Sequence, residues 1–391
     1  MRWIILALLF LSTLLNYLDR QTVAVLKPEL SAEFDLSNAD YSLLTTMFMA
    51  PYIVMYLVGG RMVDRWGSRT CMMLFVGVWS LATLAGGLVR NVWQLCATRF
   101  MLGLAEPGNM PAALRAVTLW FPSRERGLAV AIFSAGSALG AIIAPPTIAL
   151  VAAAYGWRAV FVILGAAGLV WLALWMLIYR EPTVQTVDAG EPASVRALLS
   201  NRGVRGILVA RLISDPVWYV LLFWLPSFLR EQQGLSLASL GVIGWIPFLA
   251  ADIGGIGGSS AADALIRRGA DPVASRMRVL RWAAALGPLC LALILPVSTP
   301  VALAIFSAVG AMCLTWFFGT AALLGELLPP RQVAGALGLV GAAGALGGLI
   351  VNAAVGPAID AIGFGPTLAV LAVLHPIAAL RLRRSLQAAN A

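Results

Sequence analysis

At 391 residues, 60% of them hydrophobic and only 12% charged, the chain has too few polar groups to cover a soluble protein of its size. Its formal net charge of +9 does not point to nucleic acid, because the basic residues sit in short loops between apolar runs and form no basic tail. One histidine and four scattered cysteines without ligand spacing exclude a metal cluster, a disulfide framework and a nucleophile–base enzyme site, so no cofactor is expected.

Apolar runs of about 20 residues, the length that crosses a bilayer, recur along the chain. The first six fall at 3–26, 40–62, 70–89, 92–120, 127–152 and 157–179. A polar stretch follows, and six more runs lie at 204–230, 239–262, 276–296, 300–327, 332–358 and 363–381. The reading is an all-α membrane protein of twelve spans: a bundle over 1–180, a central loop over 181–203 and a second bundle over 204–391. The opening MRWIILALLFLSTLL resembles a signal peptide, but no small-x-small cleavage site follows, so it reads as an uncleaved first helix. Arginines crowd alternate loops, among them Arg61, Arg65 and Arg69, Arg124 and Arg126, and Arg267 and Arg268. That asymmetry places both termini and the central loop in the cytoplasm.

The halves repeat. GGRMVDRWGSR (59–69) follows span 2 and GGSSAADALIRRG (257–269) follows span 8, and a shift of 199 residues lays Asp64 on Asp263. Two six-helix bundles related by such a repeat form a layout of alternating-access carriers, with a central cavity and the site near the midplane. The first copy resembles the loop signature of the major facilitator superfamily, G-x3-D-R-x-G-x-R. Asp64, with Arg65 and Arg69 beside it, is suited to a gate that pairs and parts, and Asp263 marks its degenerate copy. Gly136, Gly140, Gly254 and Gly258 carry small faces at helical spacing and read as places where helices approach closely.

Span 1 holds LLNYLDRQTV, with Asp19 and Arg20 deep in apolar sequence. Each charge costs about 2.5–3.5 kcal/mol at the hydrocarbon centre on insertion scales, so each needs a partner on another helix. In span 4, Arg99 and Glu106 are seven residues apart, near two helical turns, and share one face. Two arginines and two acids can neutralise one another as an inert network. They can also carry an anion: arginine stays charged and forks onto a carboxylate. Burial disfavours a neighbouring carboxylate while the arginine favours it, so an incoming anion tips the balance toward taking up a proton.

NYLDRQTV, DYSLLTTMFMAPYIVMYLVGGRMVDRWGSR, RFMLGLAEPGNMPAALRAVTLWFPSRERGLA and SDPVWYVLLFWLPSFL together resemble the anion:cation symporter family of the major facilitators, and its hexuronate branch most closely. The resemblance implies that Arg20, Tyr17 and Tyr52 hold a substrate carboxylate, that Asp19 and Glu106 carry protons and that Arg99 modulates Glu106. It implies a sugar-hydroxyl contact at Ser137 and an aromatic platform at Trp218 and Tyr219, with Asp215 one turn before Tyr219. Where the branch has amides, this chain reads SAGSA over Ser134–Ala138, with Gly255 and Ala342 further on, which fits a less hydroxylated acid. The expectation is a monomeric inner-membrane symporter that brings in a small organic anion, a hexuronate, aldonate or related monocarboxylate, with protons. An exporter or uniporter of a less polar cargo and a non-transporting membrane sensor are the alternatives.

Overall fold

The structure, a computed structural model, describes residues 1–182 and 195–390; residues 183–194 of the expected central loop lie outside them. Every regular element among the described residues is helical. The first half contains α1 (Arg2–Val25), α2 (Lys27–Phe34), α3 (Asn38–Gly86), α4 (Val92–Ala105), α5 (Asn109–Trp120), α6 (Ser123–Tyr155) and α7 (Trp157–Ile178). After α8 (Val195–Ser200) come α9 (Arg202–Ser227), α10 (Leu237–Ile243), α11 (Ile246–Arg267), α12 (Pro272–Ala284), α13 (Thr299–Leu327), α14 (Pro330–Ile362), α15 (Phe364–Ala369) and α16 (Leu374–Asn390).

Among the described residues, ten segments are long and apolar enough to cross a membrane. Two local irregularities reconcile that number with twelve expected runs. Spans 2 and 3 run together as α3, which bends at Gly67 (φ 78°), a backbone conformation that glycine adopts without a Cβ clash. The run 92–120 is interrupted by a 3₁₀ turn at Glu106–Gly108, leaving α4 and α5 each shorter than a crossing. Pro107 causes this break, since it has no N–H to continue the ladder. The count is consistent with twelve.

Local chemistry sets the ends. Ser37 and Asp40 form a reciprocal capping box at the start of α3. Asn91 caps α4, Ser236 caps α10 and Asp271 caps α12, each through its side-chain oxygen.

The described residues separate into two compact units. One takes the chain before residue 183 together with Leu229–Trp245, and the other takes the rest. In the first, α1 packs against α6 and α7, and α3 against α4, α5 and α7. Gly136 and Gly140 of α6 lie so close to α1 that a Cβ there would strike the carbonyl oxygens of Phe10 and Leu14. In the second unit, α9 packs on α13, α14 and α16, and α11 on α13, with Gly254 against Ala311 and Gly258 against Thr315. All four glycines therefore serve close helix approach, as their spacing suggests.

Candidate functional site

The deepest charges of the first unit meet where α1 crosses the broken run α4–α5. Arg20 is 6% exposed and Glu106 2%. Glu106 Oε2 accepts from Arg20 Nη2 at 2.8 Å and from Nε at 3.0 Å. The same Nη2 also donates to Asn16 Oδ1 at 3.1 Å and to the Tyr52 hydroxyl at 3.2 Å. Three rings surround the guanidinium: Tyr17 at 4.7 Å, Tyr52 at 5.1 Å and Phe48 at 5.7 Å from its carbon. Arg20 thus finds its partner on another helix, as its insertion cost demanded, and that partner is the Glu106 carboxylate.

Asp19, about 100° further around α1, turns to a different neighbourhood. It is buried beside Thr83 of α3 and feels the charges of Glu106 and Arg99. Arg99 is 4% exposed and lies 4.7 Å over the Phe48 ring. Asp19 Oδ1, Arg99 Nε and Glu106 Oε1 are buried with no hydrogen-bond partner among the described residues. Aspartate and arginine are therefore close without forming an ion pair, so the site has polar capacity that its own side chains do not use.

The other residues singled out from the sequence make contacts of their own. Ser137 is half-buried and gives its hydroxyl to the Ser134 carbonyl of its own helix at 2.7 Å. In the second unit, Trp218 stands edge-on to Phe248 and Tyr219 stacks on Phe223, both half-buried. Asp215 pairs with Arg211 one helical turn earlier at 2.7 Å.

At the Gly67 bend the motif residues are outward. Arg65 is exposed and the Asp64 side chain is 83% exposed, with Arg115 Nη1 4.0 Å from its carboxylate and 3.1 Å from its carbonyl. Arg69 donates to the Met176 carbonyl at 3.2 Å. In the second unit, Asp263 meets Arg276 at 3.5 Å, while Arg276 also reaches Glu326 at 3.0 Å.

Sequence reasoning missed four contributors. Glu181 accepts from the Ser68 and Arg69 N–H groups just after the bend and lies 3.4 Å from Arg115. Lys27, 2% exposed, donates to Asn38 and pairs with Glu231 at 2.8 Å. Asn16 and Asn109 are buried amides flanking the central pair. The signal for the first two was weak: an acid next to a basic loop and a lysine at a span end look like ordinary loop chemistry.

Residues 9–351 match the family model described as Major Facilitator Superfamily. The chain is 31% identical to a hexuronate transporter of Escherichia coli strain K12, over 97% of this chain and 93% of that protein. It is 32% identical to a galacturonate transporter of Dickeya chrysanthemi, over 65% of this chain and 79% of that one. Among solved structures it superposes with a TM-score of 0.83 on a bacterial homolog of the human lysosomal transporter Spinster, in an inward-facing and occupied conformation. That alignment has 20% identity and covers 99% of this chain and 97% of the other. These relatives are transporters and not enzymes.

Proposed function

Because the chain belongs to the Major Facilitator Superfamily, we propose that it carries a small organic anion, a sugar acid or a related monocarboxylate, together with protons. The observation that carries this reading is the fork of Arg20 on Glu106, two donors converging on one carboxylate oxygen in a buried site. A substrate carboxylate needs the same donors. When Glu106 takes a proton it loses its hold on the guanidinium, and an incoming anion replaces one negative charge with another. The buried charge stays constant through the exchange, which keeps the desolvation cost from rising as cargo enters.

Tyr17 and Tyr52 wall this fork, Asp19 is a second proton carrier, and Arg99 supplies the field that Glu106 and Asp19 share. One proton per monoanion makes transport electroneutral. A second proton on Asp19 makes uptake electrogenic, driven by about 2.3 kcal/mol for each charge moved through 100 mV. Trp218 and Tyr219 serve as apolar platforms, while Asp64, Arg65, Arg69 and Asp263 act at the loops as gate residues. The Ser137 hydroxyl gives its hydrogen to its own helix and keeps only acceptor capacity for a sugar hydroxyl, which fits a substrate with fewer hydroxyls than a uronate. The carrier works as a monomer in the inner membrane with both termini cytoplasmic, the orientation that the arginine-rich loops favour.

The test is proton flux in reconstituted vesicles. Addition of the cargo acid alkalinises the outer medium with the wild type, and Arg20→Ala lowers uptake by about 100-fold, the loss of two charge-assisted hydrogen bonds. Equal uptake by Arg20→Ala, or uptake without proton movement, sinks the reading.

A further inference from the structure

Glu106 has an unusual backbone setting for a group that must return repeatedly to one place. Its N–H bonds to the Leu102 carbonyl, so the helix before it is regular. After it come Pro107, with no N–H, and Gly108, in a single 3₁₀ turn. The helical ladder therefore does not hold the carboxylate from its C-terminal side. On one flank the turn is closed by Phe75 of α3, whose ring a Cβ at Gly108 would strike. On the other flank stands Asn109.

Asn109 is a bracket. Its backbone N–H bonds to the Glu106 carbonyl. Its side chain, buried, spans to α1: Oδ1 accepts from the Ser12 hydroxyl at 3.0 Å, and Nδ2 donates to the Thr13 hydroxyl oxygen at 3.3 Å. Both hydroxyls are themselves anchored on the Leu9 carbonyl, at 2.8 and 3.0 Å. One turn further along α1, Asn16 fixes Arg20 through Nη2. Each member of the ion pair thus has an asparagine of its own: Asn16 on the Arg20 guanidinium and Asn109 on the Glu106 backbone.

We propose that Asn109 is a positioning residue that registers the Glu106 turn against α1, so that the carboxylate meets Arg20 again after each cycle of protonation and anion exchange. The logic is that amides and hydroxyls do not titrate. When the Arg20–Glu106 pair parts, the charged link between α1 and α4 is gone, and the Asn109 bracket ties Glu106's own turn to α1 whatever the protonation state. Interhelical hydrogen bonds in membranes are individually modest, so the bracket's value lies in register rather than in stability.

This rests on the proton-coupled reading above, and the test separates the two. Glu106 is faced by Arg20 from α1 and by the charge of Arg99 from α4, Asp19 of α1 feels its charge, and Tyr17 of α1 and Tyr52 of α3 stand against the Arg20 guanidinium. In reconstituted protein, the protonated-carboxyl infrared band that disappears in Glu106→Gln reports that group's titration. Asn109→Ala loosens the hold of Arg20, and the band's midpoint moves up by about one pH unit, equivalent to a tenfold change in protonation at fixed pH. If Asn109→Ala folds poorly, the double variant Ser12→Ala, Thr13→Val removes the same bracket from the other helix and produces the same shift. A midpoint unchanged in either well-folded variant overturns the proposal. Added glucuronate, as the probe anion, shifts the wild-type band; no response to it or to simpler carboxylates sinks the transport reading, while the asparagine's effect on the unliganded midpoint is judged separately.

Discussion

Among the described residues, two arginine–carboxylate pairs with a buried arginine, one in each unit, are built from the same groups and wired differently. Arg20 and Glu106 are 86 residues apart and join two helices. Arg211 and Asp215 are four residues apart on α9 at 2.7 Å. The second arginine also donates to Thr320 at 3.2 Å and to the Phe317 carbonyl at 3.4 Å, and lies 4.3 Å over the Phe317 ring. Asp215 sits where Gly344 of α14 leaves no space for a side chain. An intrahelical pair neutralises itself wherever its helix goes. A pair between helices changes their relation whenever it breaks. The first is suited to stapling α9 against α13 and α14, and the second to coupling.

The largest expected effect tests the cross-helix pair. Glu106→Gln keeps the shape of the side chain and removes its charge and its titration. Proton-driven accumulation of the cargo then falls by about 100-fold, the scale of two charge-assisted hydrogen bonds, while exchange of labelled for unlabelled cargo across the membrane continues because Arg20 still binds it. Accumulation at the wild-type level places the coupling elsewhere and removes the contrast between the units.

Next in size is the second pair. Asp215→Asn leaves Arg211 buried with only neutral partners and lowers stability by about 3 kcal/mol, the range for breaking one side of a buried ion pair. Thermal unfolding in detergent measures this. The pH profile of transport in the surviving protein keeps the wild-type midpoint. A shifted midpoint makes Asp215 a participant in proton movement and the two pairs alike.

Much of this was legible in the sequence. Span positions follow from hydrophobic runs, because a bilayer leaves helices little choice of length. Asp19, Arg20, Arg99 and Glu106 stand out because charge is costly in hydrocarbon. What the sequence did not reveal is who meets whom. Arg99 and Glu106 share a helical face, yet the tight contact is Arg20 to Glu106, a matter of how α1 crosses α4. Asn16 and Asn109 are inconspicuous because uncharged amides carry a smaller insertion penalty, although Asn109 follows Glu-Pro-Gly, a visible break in span 4. Pro107 signals the 3₁₀ turn itself, but the apolar run continues on both sides of it and hides the interruption.

The smallest effect contrasts two acids near the Gly67 bend. Asp64 is the acid that the loop motif marks, yet its side chain is 83% exposed and its nearest cation is 4.0 Å away. Glu181, which no motif marks, accepts from Ser68 N–H at 3.2 Å and Arg69 N–H at 3.1 Å and lies 3.4 Å from Arg115. Its carboxylate takes the place of a capping side chain at the start of the helix that resumes after Gly67, where freed N–H groups and the helix dipole both favour an anion. Glu181→Gln keeps one acceptor oxygen and loses the charge, lowering stability by about 0.5–1 kcal/mol, and Glu181→Ala lowers it by about 1 kcal/mol or slightly more. Asp64→Asn changes the unfolding temperature little, because an exposed ion pair at that distance contributes close to nothing. The ordering is the substance of the prediction. If Asp64→Asn destabilises the folded protein more than Glu181→Gln, the motif's acid holds the bend and Glu181 merely lies beside it.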